Sequence, residues 1–428
     1  MIHFEAGRFH RLAAVAGVLT LTACSSPSIP TGPDSPVVIT WWTGQTDDAG
    51  TISQDLAREY EATHPNVRIR PEPGASNTDG LLQKLSAGLL AGRYPDISYA
   101  YGSWAIDLDR SDRIQDLTEY SAQPEVHWAG LPSAAREVAT VNGRVIGVPA
   151  LVDNVALIYN RDLFDRRGLA YPNESWTWAD FRAAAKALTG PEPTTFGTAF
   201  PAGGGEDALL CFWPLFWQLG GAILDGTKPA FNSGAGVGAL ETLRAMTVDD
   251  RSAYPARNGD EQVAMFKSRH IGMILSGPWV LAALSNLPLR YGVVRLPGTG
   301  TDHQTVSGPD LWVLFDHDDP DRARAARDFV TWLTSDEIDV KWNLQLGNLP
   351  LRETGRKTMA FRDYVKRFPG AGEFAANTAN VKQHRPAVAG YADLSRNVGD
   401  AVAEVLRGYE SPRQALDEAA ASTESMID

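Results

Sequence analysis

A chain of 428 residues, 43% hydrophobic and 21% charged, carries enough apolar material for two or three packed domains and is not a disordered polymer. Its 52 acidic against 39 basic residues leave a formal charge of −13, and the sequence shows no basic run, which excludes a nucleic-acid partner because phosphate binding needs clustered positive charge. Two cysteines, Cys24 and Cys211, are too few for a disulfide framework or a four-cysteine zinc site.

Residues 1–23 read as a secretion signal. Arg8 and Arg11 form its positive end, and Leu12 to Leu21 an apolar core shorter than the ~20 helical residues that span a bilayer. Leu21-Thr22-Ala23-Cys24 looks like a bacterial lipobox, so Cys24 is the expected lipidation site and the mature N-terminus. The Ser- and Pro-rich stretch that follows, through Pro36, reads as an extended tether. Cys211, within an apolar run, is expected to be a small core hydrophobe.

Strands and helices then alternate. Val37–Thr43 is β-branched and aromatic, as strands are. A helix with Thr51 as its cap places Ile52, Leu56 and Tyr60 on one face, and Pro65 stops it. Val67–Arg70 and Asp96–Tyr101 read as strands around a helix over Thr78–Gly92. Further strands are expected at Ile146–Ala150, Val155–Asn160, Phe196–Phe200, Ile271–Leu275, Tyr291–Leu296 and Leu311–Phe315. Thr177 and Asp180 form a capping box before a helix to Leu188. Helices are also expected over Asp321–Leu333 and within Asp393–Ile427, while Gly234, Gly236 and Gly238 read as a loop. The alternation implies an α/β class with parallel sheets covered on both faces. A chain this long exceeds one core, so two α/β lobes are expected.

No nucleophile elbow, zinc-protease helix, phosphate loop or dinucleotide fingerprint occurs in the sequence. What stands out instead is aromatic residues in turns beside small polar ones: Trp41-Trp42-Thr43-Gly44-Gln45, Tyr99 to Trp104, Ser276-Gly277-Pro278-Trp279 and Ser307 to Trp312. Each borders an expected strand end, where open α/β sheets place ligand crevices. An aromatic face covers the C–H face of a sugar ring, polar side chains bond its hydroxyls, and glycine lets the backbone approach closely. Trp42, Trp104 and Trp279 are the candidate platforms. Trp41, Trp176, Trp178, Trp332 and Trp342 lie in strand or helix bodies and are expected in the core.

Ordered landmarks carry a resemblance: Ala62-Thr63-His64-Pro65-Asn66-Val67, Gly92 to Ile97, Ile158 to Phe164, Ser175-Trp176-Thr177-Trp178, Gly220-Gly221, Gly277-Pro278-Trp279 and Leu349-Pro350. From about Val37 onward the chain resembles the extracellular solute-binding lipoproteins of ABC importers, a group that includes maltodextrin- and glycerol-phosphate-binding proteins. The resemblance implies a periplasmic-binding-protein-like fold, two α/β lobes joined by crossover hinge strands around a ligand cleft. It places the N-terminal lobe at 37–149 plus about 290–335, and the C-terminal lobe at 150–289 plus about 336–428. It sets Asp153 and Asn154 at the first crossover, facing the cleft, and gives Tyr101 the position of a ligand-contacting tyrosine. Ser307 to Trp312 resembles the family's Gly-Gly-x-x-Leu-Trp turn, though Ser307 and Pro309-Asp310 depart from it. Asn348 stands where an aromatic contact is common.

The expected ligand-binding set is therefore Trp42, Gln45, Tyr101, Ser103, Trp104, Asp153, Asn154, Glu206, Asp207, Trp279, Ser307, Gly308, Asp310 and Asn348. Asp153, Glu206, Asp207 and Asp310 favour a neutral or cationic sugar, such as an amino sugar, over a free phosphate, with Arg352 and Arg385 as possible offsets. The expected partners are a small carbohydrate, the permease subunits of an ABC importer and the outer face of the cytoplasmic membrane through the lipid on Cys24. A monomer is expected, with no metal, no cofactor and no catalytic residue. The alternatives are a glycerophosphodiester or glycerol-3-phosphate receptor and a lipid-anchored glycoside hydrolase, which would need two carboxylates at a fixed separation.

Overall fold

A computed structural model describes residues 35–44, 48–75, 78–190, 195–386 and 388–427. The signal sequence, Cys24, most of the tether and Gln45 lie outside them. Two five-stranded sheets organise the chain from Pro36 onward. Their strands are β1 (Val37–Trp42), β2 (Val67–Glu72), β3 (Ile97–Tyr101), β4 (Val148–Leu151), β5 (Ala156–Asn160), β6 (Phe196–Pro201), β7 (Ala253–Ala256), β8 (Ile271–Ser276), β9 (Tyr291–Val294) and β10 (Asp310–Leu314). The first sheet runs β2-β1-β3-β10-β4 and the second β7-β6-β8-β5-β9. β7 carries too few apolar residues to stand out in the sequence.

The sheets are mixed, where strand–helix alternation alone suggested parallel ones. β1, β2 and β3 are parallel, and β10 is antiparallel to both β3 and β4. Likewise β6, β7 and β8 are parallel, with β5 antiparallel to β8 and β9. β5 and β10 each arrive by a crossover from the other lobe. They enter their sheets at the cleft end and so run against the strands built by local strand–helix units. The consequence is that Tyr101, Leu151 and Asp310 share one end of the first sheet, and Ser276 and Ala156 one end of the second.

Both faces of the second sheet are covered. Along β5, Leu157 and Tyr159 join one buried cluster while Ala156 and Ile158 join another, the alternation that strand geometry dictates. In the first lobe Trp41 sits at the centre of an aromatic knot, its ring 5.2–5.5 Å from those of Phe329, Trp312 and Trp342. Asp96, 1% exposed, takes both Nε and Nη2 of Arg322 at 2.8 Å, tying helix Pro320–Leu333 to the sheet. Of the tryptophans expected in the core, Trp41, Trp178 and Trp342 are buried, and Trp176 and Trp332 pack half-buried against it.

The lobe limits differ from the sequence reading in two places. Tyr291–Val294 pairs with β5 in the second sheet, so residues from about 290 stay in that lobe until β10. Helix Asp336–Leu346 belongs to the first lobe, because Ile338 and Trp342 complete its core. The glycine cluster expected as a loop opens a helix, Gly234–Arg244. A Cβ on Gly236 would stand 1.9 Å from the Phe231 carbonyl oxygen, so glycine there permits close packing. The first long helix begins at Asp48, which leaves Thr51 inside it. The Thr177–Asp180 capping box is present, and the last helical region is two helices, Tyr391–Leu406 and Pro412–Ile427.

Three crossovers, residues 152–155, 295–309 and 347–352, connect the lobes. Val152 bridges Leu349, and the Thr305 hydroxyl donates to the Val155 carbonyl at 2.6 Å. Asn154, 1% exposed, donates to the Phe374 carbonyl at 2.9 Å and accepts from Asn377 Nδ2 at 2.7 Å. Asn154→Ala removes the donor to the Phe374 carbonyl and one of the two acceptors of Asn377 Nδ2, at an expected cost of about 1–3 kcal/mol. A lower urea midpoint measures it; an unchanged midpoint would show that the hinge does not depend on this network.

Candidate functional site

The crossovers form the floor of a cleft of about 790 Å³ between the lobes. From the first lobe come Tyr99, Tyr101 and Asp310; from the second come Glu206, Asp207, Ser276 and Trp279; from the crossovers come Asp153, Ser307, Gly308 and Asn348. The strand ends meet here, and loops at strand ends are free to carry binding groups on a rigid frame.

Nine of the expected residues therefore gather in one place: Tyr101, Asp153, Glu206, Asp207, Trp279, Ser307, Gly308, Asp310 and Asn348. Trp42, Ser103, Trp104 and Asn154 do not line it. Trp42 is buried, its indole donating to Glu72 Oε2 at 3.1 Å and its face covered by Lys84 Nζ at 4.2 Å. Ser103 and Trp104 border a separate small cavity behind Tyr101, with Glu206, Arg385 and Tyr391 on its other side. Asn154 points into the hinge network described above. Gln45 and Cys24 lie outside the described residues.

Trp279 is the aromatic that stays accessible, 37% exposed. Gly277 makes this possible, since a Cβ there would fall 1.8 Å from the Trp279 ring. The ring rests directly on that backbone and turns its remaining surface to the cleft. Trp213 and Trp217, by contrast, are core residues. Cys211 borders the cleft, but its thiol is buried, pushed up to about 12 by that burial, and donates to the Ala208 carbonyl at 3.3 Å. It is no nucleophile at neutral pH.

Arg385, absent from the expected set, organises the electrostatics. It lies on the strap between Asn380 and helix Tyr391–Leu406, with its Nη1 2.8 Å from Glu206 Oε1 and its guanidinium carbon 5.4 Å from the Tyr101 ring centre. Glu206 also accepts the hydroxyls of Tyr391 and Ser395. Burial works against the Arg385 charge, and Glu206, Tyr391 and Asp310 outweigh it, holding the guanidinium above its usual range. A Cβ on Gly308 would fall 1.6 Å from Arg385 Nη2. Glycine at the turn is thus the condition for the arginine's position. Arg352 is elsewhere: it donates to the carbonyls of Thr334 and Val126 and fastens the third crossover.

Asp310 and Asp153 are the unusual acids. Burial is the main reason Asp310 is pushed up to about 8; the nearby Asp153 adds to the effect, while Arg385 and the Tyr99 hydroxyl oppose it. Asp153, partly exposed, is pushed up to about 6, again chiefly by enclosure, against the pull of Arg385 and the Gly308 amide. Tyr99 was not singled out from sequence, though Tyr99 and Tyr101 share a face of β3 by simple alternation. Its hydroxyl donates to Asp310 Oδ2. Among the described residues no group of three His, Cys, Asp or Glu is placed to hold a metal.

Two outcomes follow. Arg385→Ala removes the guanidinium that faces three carboxylates and is expected to cost about 3–5 kcal/mol at neutral pH; chemical unfolding should show this loss shrinking as the pH falls and the acids protonate. Because its folded-state pKa lies above the unfolded value, Asp310 favours the fold at low pH and does so less and less as pH rises toward 8. Asp310→Asn should therefore raise the melting temperature of the unliganded protein at about pH 8–9 and change it little near pH 4, as a pH series of melting curves would register.

With this architecture in view, the comparisons with known proteins are specific. The family of bacterial extracellular solute-binding proteins matches residues 43–339. An uncharacterized lipoprotein encoded in the oleD 5′ region of Streptomyces antibioticus is 27% identical over 333 residues, 74% of this chain and 71% of its own. The ABC substrate-binding protein Lmo0181 of Listeria monocytogenes, solved with cycloalternan, superposes with a TM-score of 0.81 at 22% identity, covering 92% of this chain and 99% of that one. UgpB of Mycobacterium tuberculosis, solved with glycerophosphocholine, gives 0.81 at 17% identity over 92% and 98% of the two chains. The two solved structures establish the fold, a pair of α/β lobes around a cleft. Matched over well more than half its length, the chain belongs to the bacterial extracellular solute-binding proteins.

Proposed function

We propose that the chain is a receptor that captures a small carbohydrate between its lobes and presents it to the membrane subunits of an ABC importer. The observation that carries this reading is the pairing of one accessible indole face, Trp279, with polar groups from the opposite lobe, the partly buried Tyr101 and the buried Asp310, across a single cleft. Such a cleft suits a ring with one apolar face and a rim of hydroxyls. The Listeria neighbour was solved with the oligosaccharide cycloalternan, which is in keeping with it. Ligand contacts on both lobes favour the closed state by their differential affinity. No bond is broken in this scheme. A lipid on Cys24 would tether the receptor to the outer face of the cytoplasmic membrane, and a relative from Streptomyces antibioticus is itself described as a lipoprotein.

A free phosphate fits less well. The lining carries Asp153, Glu206, Asp207, Asp260 and Asp310 against Arg385 and Lys267, and Arg385 is already engaged by Glu206. A thermal-shift and calorimetric screen of sugars, polyols, glycerol phosphates and glycerophosphodiesters tests the proposal. Stabilisation by sugars is expected; tight binding confined to glycerol phosphates would overturn it, and release of shortened products from a bound oligosaccharide would replace the receptor with a hydrolase. Trp279→Ala should weaken sugar binding by roughly tenfold, about 1.4 kcal/mol, while the unliganded protein still melts in one cooperative transition; undiminished affinity would move the site away from this face.

A further inference from the structure

Three carboxylates, Asp153, Asp310 and Glu206, approach one guanidinium, that of Arg385. Glu206 is fully occupied: Arg385 Nη1 lies at 2.8 Å, and the Tyr391 and Ser395 hydroxyls complete its shell. Two acids are left over. Asp310 is 2% exposed and takes the Tyr99 hydroxyl on Oδ2, with the Gly102 amide also turned toward its carboxyl, while among the described residues its Oδ1 has no hydrogen-bond partner. A native fold rarely leaves a buried carboxyl oxygen unpaired, since the desolvation penalty is then unreturned. Asp153 stands beside it, partly exposed to the cleft. The other titratable groups facing the pair are the hydroxyls of Tyr99 and Tyr101, which bring no positive charge.

What would satisfy this corner can be read from its two deficits, a missing donor and a missing positive charge. A sugar hydroxyl supplies a donor without charge. A phosphate adds negative charge beside carboxyls that already lack a cation of their own. A quaternary ammonium supplies charge without an N–H. A protonated primary amine supplies both, and charge-assisted hydrogen bonds to carboxylates are the strong ones. Resting on the carbohydrate-receptor reading above, we infer that the ligand is an amine-bearing sugar whose ammonium is received by Asp153 and Asp310. In the unliganded cleft the pair holds a proton, consistent with carboxyls raised above their ordinary range by burial. The incoming ammonium takes that proton's place, and the proton leaves to solvent, so that charge balances at each stage.

The test is calorimetry of the complete secreted chain with glucosamine and galactosamine, each beside its hydroxyl and N-acetyl counterparts, and with glycerophosphocholine, in two buffers of different protonation enthalpy. The amino sugars are expected to bind at least about tenfold more tightly than their counterparts. Binding should release about one proton, and affinity should rise between about pH 5 and about pH 7 as the acids give up their proton. Asp310→Asn should erase the preference and the proton release together; should that variant not fold, Asp153→Asn serves the same purpose. Glucose or an N-acetyl sugar binding as tightly as the amine, or amine binding without proton release, overturns the inference while leaving the receptor intact. Preferential binding of glycerophosphocholine overturns the requirement for an N–H donor. Binding by none of the sugars overturns the carbohydrate reading and the inference with it.

Discussion

Arg385 is a buried cation at the cleft between two lobes, and the surrounding structure is arranged to keep it charged. Taking a guanidinium out of water is costly unless carboxylates meet it with good geometry. Glu206 does so from the N-terminal turn of helix Gly205–Gln218, and Gly308, having no side chain, leaves the guanidinium room. Remove any of these and the others lose their reason to be there. Asp153 and Asp310 are left with an arginine already committed to Glu206, and burial, which that arginine offsets only in part, is why their protons are held tightly.

This arrangement depends on the crossovers. Each strand that carries a cleft residue ends, or begins, at the same edge of its sheet because β5 and β10 enter from the cleft side. Tyr101 at the end of β3 pairs with Asp310 at the start of β10, and Leu151 at the end of β4 pairs with the same Asp310. Asp310 is thereby clamped between two strands. The buried amides of Asn154 and Asn377 fix the first crossover to the second lobe, one residue from Asp153.

Much of the fold was legible in the sequence for reasons that are local. β-branched and aromatic runs mark nine of the ten strands because pleated, half-buried surfaces accept those shapes. The Thr177 capping box appears as written, because its two hydrogen bonds need only residues three apart. The less legible parts are those set by partners distant in sequence. Trp42 and Trp279 both sit in turn-like sequences beside glycine, yet one is enclosed by Glu72 and Lys84 and the other lies open on Gly277. The Gly234 cluster looks like a loop until Phe231 is seen to press its carbonyl against Gly236.

By itself the sequence determined the α/β class and the strand-end turns that supply Tyr101, Trp279 and the Ser307–Asp310 segment. Only the tertiary structure decided which carboxylates are neutralised. Glu206 and Arg385 are 179 residues apart, as separated as any pair a sequence pattern could miss, and whether an acid is paired or left over depends on distance and burial rather than on type. Periodicity reports which face of an element is apolar; it carries no information about which charges the fold will bring face to face.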